Sequence, residues 1–142
     1  MNEEYLTNSG KETQELGERF ATTLKPGNFV AFYGDLGSGK TTFIQGLAKG
    51  LGIMRRIISP TFIISRRYSI NNGSFYHIDL YRTESKHDLL EIGLDQIIED
   101  KNNIVALEWG EKMGEMSPSK RVDIHFEYLG DNKRKIVIKR YE

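Results

Sequence analysis

At 142 residues the chain has the size of one domain, and surface scaling lets it bury about two-thirds of its unfolded surface around a single core. Twenty Lys and Arg balance twenty Asp and Glu, so no global field favours nucleic acid or an anionic membrane. The absence of cysteine excludes disulfides and thiolate metal sites, and no apolar stretch approaches membrane-spanning length. The acidic start Met1-Asn2-Glu3-Glu4 is unlike a signal peptide, so the expectation is one domain over residues 1–142, located in the cytoplasm.

Ser9, with Glu12 three residues on, has the form of a capping box, and Leu16, Phe20 and Leu24 then share one helical face. Pro26-Gly27 closes that helix. Asn28 to Tyr33 is a short apolar run rich in aromatic and β-branched residues, as a buried strand requires. Gly34-Asp35-Leu36-Gly37-Ser38-Gly39-Lys40-Thr41 follows and spells G-x-x-x-x-G-K-[ST]. Behind it Phe43, Ile44, Leu47, Ala48 and Leu51 recur at helical spacing, with Gly50 and Gly52 as stops.

Strand, glycine loop and helix, in that order, make an anion site. Glycines let the backbone turn tightly and bring N–H groups close to phosphates. Lys40 adds a charge that reaches the terminal phosphates, the Thr41 hydroxyl can bind Mg²⁺, and the helix N-terminus adds its dipole. The pattern predicts a nucleoside triphosphate held by Asp35, Leu36, Gly37, Ser38, Gly39, Lys40, Thr41 and Thr42.

Further on, Ile57 to Phe62 has the character of a strand leaving the core. Alternating runs from Phe62 to Tyr68 and Ser74 to Tyr81 flank Asn72-Gly73, a strong hairpin signal, so these strands are expected antiparallel. Ser85 to Asp100 predicts one helix or two short ones, with Leu89, Leu90, Leu94, Ile97 and Ile98 inward and Gly93 as a break. Ile104 to Leu107 is a compact apolar run ending in Glu108-Trp109. Two final strands, Val122 to Tyr128 and Lys135 to Tyr141, join through Gly130-Asp131-Asn132. Parallel strands need helical crossovers, and three helices supply few. The expected fold is therefore a three-layer α/β domain of the phosphate-loop NTPase kind, with a small mixed sheet. Parallel strands surround the nucleotide and antiparallel hairpins complete the edges.

Phosphoryl chemistry also needs an acid for Mg²⁺ and a group to orient the nucleophile. Glu108, emerging from an apolar strand, is one candidate, though any first residue after a strand looks alike. Asp79 is another; alternation puts His77, Asp79 and Tyr81 on one face, which the solvated side of a hairpin explains without any metal. Thr61, after Ser59-Pro60, is either a γ-phosphate sensor or a turn threonine. Arg55-Arg56, Arg66-Arg67 and Lys133-Arg134-Lys135 read as solvated faces, and spacing places no arginine at the γ-phosphate. A guanine-reading Asn-Lys-x-Asp is not met by Asn132-Lys133-Arg134-Lys135, and Leu-Ser-Gly-Gly-Gln of transporter ATPases is absent. A small-molecule kinase and a non-catalytic nucleotide-dependent binding module stay open.

Gly34 to Phe43, Ser59-Pro60-Thr61-Phe62, His77-Ile78-Asp79-Leu80-Tyr81-Arg82 and Glu108-Trp109-Gly110-Glu111, in this order, resemble the bacterial TsaE family, as does Thr13 to Gly17. The resemblance implies a cytoplasmic, Mg²⁺-dependent ATPase needed for threonylcarbamoyladenosine at position 37 of tRNA. It implies docking on a TsaB–TsaD pair that ATP hydrolysis resets; the neutral charge balance predicts no strong independent tRNA site, and a site formed jointly with those partners stays open. By motif, Lys40 would hold phosphates, Thr41, Asp79 and Glu108 would form the metal and catalytic set, Thr61 would lie in a switch-like segment, and Trp109 would shape the site. The family's usual Glu-Trp-Pro-Glu reads Glu108-Trp109-Gly110-Glu111 here, which removes a fixed φ and leaves the placement of Glu111 open.

Overall fold

The computed structural model describes residues 2–57 and 64–142. Strands β1 (Asn2–Thr7), β2 (Phe29–Tyr33), β3 (Ser65–Ile70), β4 (Gly73–Asp79), β5 (Asn103–Glu108), β6 (Arg121–Gly130) and β7 (Lys133–Tyr141) alternate with four helices among these residues. The helices are α1 (Gly10–Ala21), α2 (Lys40–Gly50), α3 (Lys86–Glu91) and α4 (Leu94–Glu99). The expected strand leaving the core after Ile57, and Thr61 with it, fall outside the described residues.

One sheet runs in the order β1-β7-β6-β2-β5-β4-β3. Its middle four strands are parallel, while β3 pairs with β4, β7 with β6, and β1 with β7 antiparallel. The mixed α/β architecture is thus as expected, with one strand more than the hairpins supply. The acidic N-terminus is that strand: Asn2 to Thr7 register against Lys139 to Arg134, and Glu3 accepts a hydrogen bond from Arg140 Nε at 2.9 Å.

Two apolar layers explain the sandwich. In β2, Val30 and Phe32 point toward α1 and α2, where they join Leu16, Phe20, Phe43, Ile44 and Leu47. Phe29 and Ala31 point the other way, with Ile78, Leu107, Leu89 and Leu94. A strand covered on both faces needs the continuous apolar run that the sequence has.

Local chemistry sets the helices. The Ser9 hydroxyl caps α1 by accepting from the Glu12 N–H at 3.1 Å, and the Glu12 carboxylate accepts from the Asn8 N–H, one residue before the capping-box position. α1 and α2 pack so closely that a Cβ on Gly17 would stand 2.1 Å from the Phe43 carbonyl oxygen. Gly93, at φ +75, separates α3 from α4. Leu89 and Leu94 are buried, whereas Leu90 is 46% exposed, contrary to the inward placement expected of it. It sits about 100° around the helix from Leu89, which fills the inward slot. No helix among the described residues is long and apolar enough to cross a membrane.

Candidate active site

The four parallel strands end along one edge of the sheet, and the glycine loop rises there between β2 and α2. Its turn is closed by the Ser38 N–H donating to the Asp35 carbonyl at 3.1 Å. Gly34, Gly37 and Gly39 all have positive φ, a region costly for residues with a Cβ. Lys40, the first residue of α2, is 4% exposed. Its Nζ donates to the Gly34 carbonyl and lies 3.9 Å from the centroid of the Trp109 ring. Burial lowers its pKa, opposed by the carboxylates of Glu108, Glu111, Asp79 and Asp35. The ammonium is therefore a largely desolvated charge, and among the described residues no carboxylate forms an ion pair with it.

Facing the loop, β4 and β5 run in register so that Asp79 stands beside Glu108. Glu108 is 3% exposed. Its carboxylate accepts from the Thr41 hydroxyl at 3.3 Å and meets His77 Nε2 at 2.7 Å. His77 is completely buried, and its Nδ1 has no hydrogen-bond partner. An ionised carboxylate only accepts, so Nε2 carries the proton toward Glu108. Asp79 accepts the Tyr81 N–H at 2.9 Å. The solvated-face account of His77 and Asp79 is thereby overturned: β4 is an interior strand, flanked by β5 and β3, and both side chains are buried. Trp109 takes a left-handed φ of 65°, packs 5.2 Å from the Tyr81 ring and lies beneath Lys40 Nζ.

Between the two walls is a cleft of about 480 Å³, of the size that small-molecule sites have. Leu36, Gly37, Gly39, Lys40, Thr41 and Thr42 line one side, and Asp79, Glu108 and Trp109 the other. The Asp35 and Ser38 side chains do not line it: Asp35 is exposed, and the Ser38 hydroxyl is buried beneath the loop without a partner. Glu111 lies exposed on a short 3-10 turn, Gly110–Lys112.

Two arginines join the cleft that spacing did not place there, Arg82 and Arg134. Arg82 follows Asp79 closely and was reachable from its motif. Arg134 reaches in from β7, so its reading as part of a solvated face is corrected; no local pattern marks it. A larger cleft of about 660 Å³ lies by α3, between Thr83 and Met116. It lacks the glycine loop, and its Lys112 is tied to the Tyr81 and Thr83 carbonyls.

A sequence profile described as threonylcarbamoyl adenosine biosynthesis protein TsaE matches residues 7–136. Among curated relatives, the Rickettsia bellii protein is 36% identical over 94% of this chain and 92% of its own length. The Bacillus subtilis protein is 36% identical over 93% of this chain and 82% of its own, and the Nostoc protein 38% identical over 90% and 80%. All three are named tRNA threonylcarbamoyladenosine biosynthesis protein TsaE. The crystal structure of Bacillus subtilis YdiB superposes with a TM-score of 0.84 at 30% identity, covering 100% of this chain and 87% of that one. On sequence and fold together, this chain belongs to the TsaE family.

Proposed function

We propose that the chain is a Mg²⁺-dependent ATPase of tRNA threonylcarbamoyladenosine biosynthesis, which binds a TsaB–TsaD pair and resets it through ATP hydrolysis. The observation that carries the enzymatic part is the buried Lys40 facing the Thr41–Glu108–His77 cluster across one cleft. The names of the relatives support the process, and the resemblance to TsaE proteins supplies the partners.

The residues fit the chemistry. Backbone N–H groups of the loop and the start of α2 would cradle the phosphates, and Lys40 would exchange the Gly34 carbonyl for phosphate oxygens. The metal implied is Mg²⁺. That ion keeps several waters and borrows substrate oxygens, needing few from protein. The Thr41 hydroxyl with Asp79 and Glu108 are the oxygens that would hold it, and when bound it would screen the phosphate charges. Glu108, fixed by His77, is the group to orient the attacking water. Trp109 and Tyr81 line that side of the cleft. With no arginine established at the γ-phosphate, hydrolysis by the isolated chain is slow, since a missing transition-state charge costs on the order of 10³-fold.

The test is phosphate release from Mg-ATP with and without purified TsaB–TsaD. Stimulation by the pair that disappears in Glu108→Ala supports the reading. Equal rates in both conditions reject the partner role. Phosphate passed to a small acceptor identifies a kinase, and binding without turnover a nucleotide-dependent module.

A further inference from the structure

The β6–β7 hairpin is some ninety residues from the glycine loop in sequence, yet it forms the loop's backing. A Cβ on Gly34 would stand 2.8 Å from the Phe126 carbonyl oxygen. One on Gly39 would stand 2.7 Å from both Cδ and Nε of Arg134 and 3.7 Å from the Phe126 ring. The Gly39 backbone and the Arg134 side chain thus touch, and Arg134 lines the cleft. Its guanidinium is positioned from behind: Nη1 donates to the Asn132 carbonyl at 3.0 Å, and the group lies 5.5 Å from the Tyr128 ring centroid. Nε is buried and has no acceptor. Among the described residues no carboxylate pairs with Arg134, although Lys49, Arg121, Lys135 and Arg140 each have one.

A partly desolvated guanidinium held beside a phosphate loop and left without an anion is a built half-site. We propose that Arg134 is a nucleotide-binding residue whose guanidinium contacts the phosphates at the Gly39–Thr42 end of the loop. The backbone N–H groups of a phosphate loop cradle the inner phosphates, which ADP and ATP share, and it is the loop backbone, at Gly39, that the Arg134 side chain meets. Glu108, beside Thr41 and His77, marks the opposite task of handling the terminal phosphate. The contribution of Arg134 is therefore affinity common to both nucleotides. The inference rests on the nucleotide-site reading above.

Isothermal titration of wild type, R134Q, R134K and K40A with Mg-ADP, Mg-ATP and tripolyphosphate tests it. R134Q is expected to weaken all three ligands by a similar factor, on the order of tenfold to a hundredfold, as loss of a charge-assisted contact does. R134K, which keeps the charge but not the fork, recovers part of the loss. Unchanged affinities in R134Q overturn the proposal. So does a loss confined to ATP, which would put the guanidinium on the γ-phosphate, or one that spares tripolyphosphate, which would put it on the base. If wild type binds and K40A does not while R134Q is normal, only this inference fails. If wild type binds none of the ligands, the nucleotide-site reading falls with it.

Discussion

His77 Nε2 lies 2.7 Å from a carboxylate oxygen of Glu108, and both side chains are sealed from solvent. The contact links two parallel strands at the point where they deliver their acids to the cleft. Its geometry suits a positioning residue: His77 touches no cleft space itself but fixes the rotamer of the carboxylate that does.

Replacing His77 therefore acts through Glu108. His77→Ala leaves a buried carboxylate with only the long Thr41 contact, costing about 1–3 kcal/mol of stability. Hydrolysis is expected to fall about 10–100-fold, the loss typical of removing an orienting partner. His77→Gln, which can still donate, restores part of the rate. Chemical denaturation and single-turnover hydrolysis at saturating ATP separate the two effects. A rate in His77→Ala equal to wild type at saturating ATP shows that Glu108 needs no such support.

On the proposed function, Lys40 and Glu108 are expected to divide binding from chemistry. Lys40→Ala removes the buried cation at the loop and is expected to abolish productive nucleotide binding. Glu108→Gln keeps the shape and the Thr41 neighbour but loses the charge, so affinity persists while phosphate release stops. Trp109, the one tryptophan of the chain, stands 3.9 Å from Lys40 Nζ. Its fluorescence is expected to change on ADP addition in Glu108→Gln and to stay flat in Lys40→Ala. Hydrolysis at the wild-type rate by Glu108→Gln removes Glu108 from the mechanism.

What was legible in the sequence is what depends on neighbours along the chain. The glycine loop, the Ser9 cap, the Gly93 break and the apolar run delivering Glu108 are all local patterns, and each stands where spacing put it. The burial of His77 was not legible, because it follows from β4 lying between β3 and β5, a long-range pairing. Nor was β1: Asn2-Glu3-Glu4 is a polar run, Leu6 is 66% exposed, and the strand is fixed by its long-range pairing with β7. Arg134 enters the cleft only because β6 pairs with β2, bringing its hairpin behind the loop.

The departure at Gly110 has a steric partner. A Cβ there would stand 2.7–2.9 Å from the Tyr33 ring and hydroxyl, and that ring is stacked on His125 at 4.5 Å. Tyr33 thus occupies the space that a proline at 110 would need. Gly110→Pro is expected to destabilise by about 1–3 kcal/mol, the usual cost of overpacking. In a Tyr33→Ala background most of that penalty disappears, giving a coupling energy of the same size by double-mutant cycle. Additive effects of the two changes rule out the steric explanation.

Tyr33 also sets an alkaline limit. Burial, then the negative charge of Asp123, pushes its pKa up to about 12. An unfolded tyrosine releases its proton near pH 10. Between those values the unfolded chain binds fewer protons than the native one, so the slope of stability against pH is negative. The stabilisation present below pH 10 is lost progressively as the pH rises toward 12. Tyr33→Phe has no proton to release and flattens that part of the curve relative to wild type, whose six other tyrosines remain in both proteins. Urea midpoints measured across this range give the comparison. Parallel curves for the two proteins would show that the phenol titrates alike in the folded and unfolded chain.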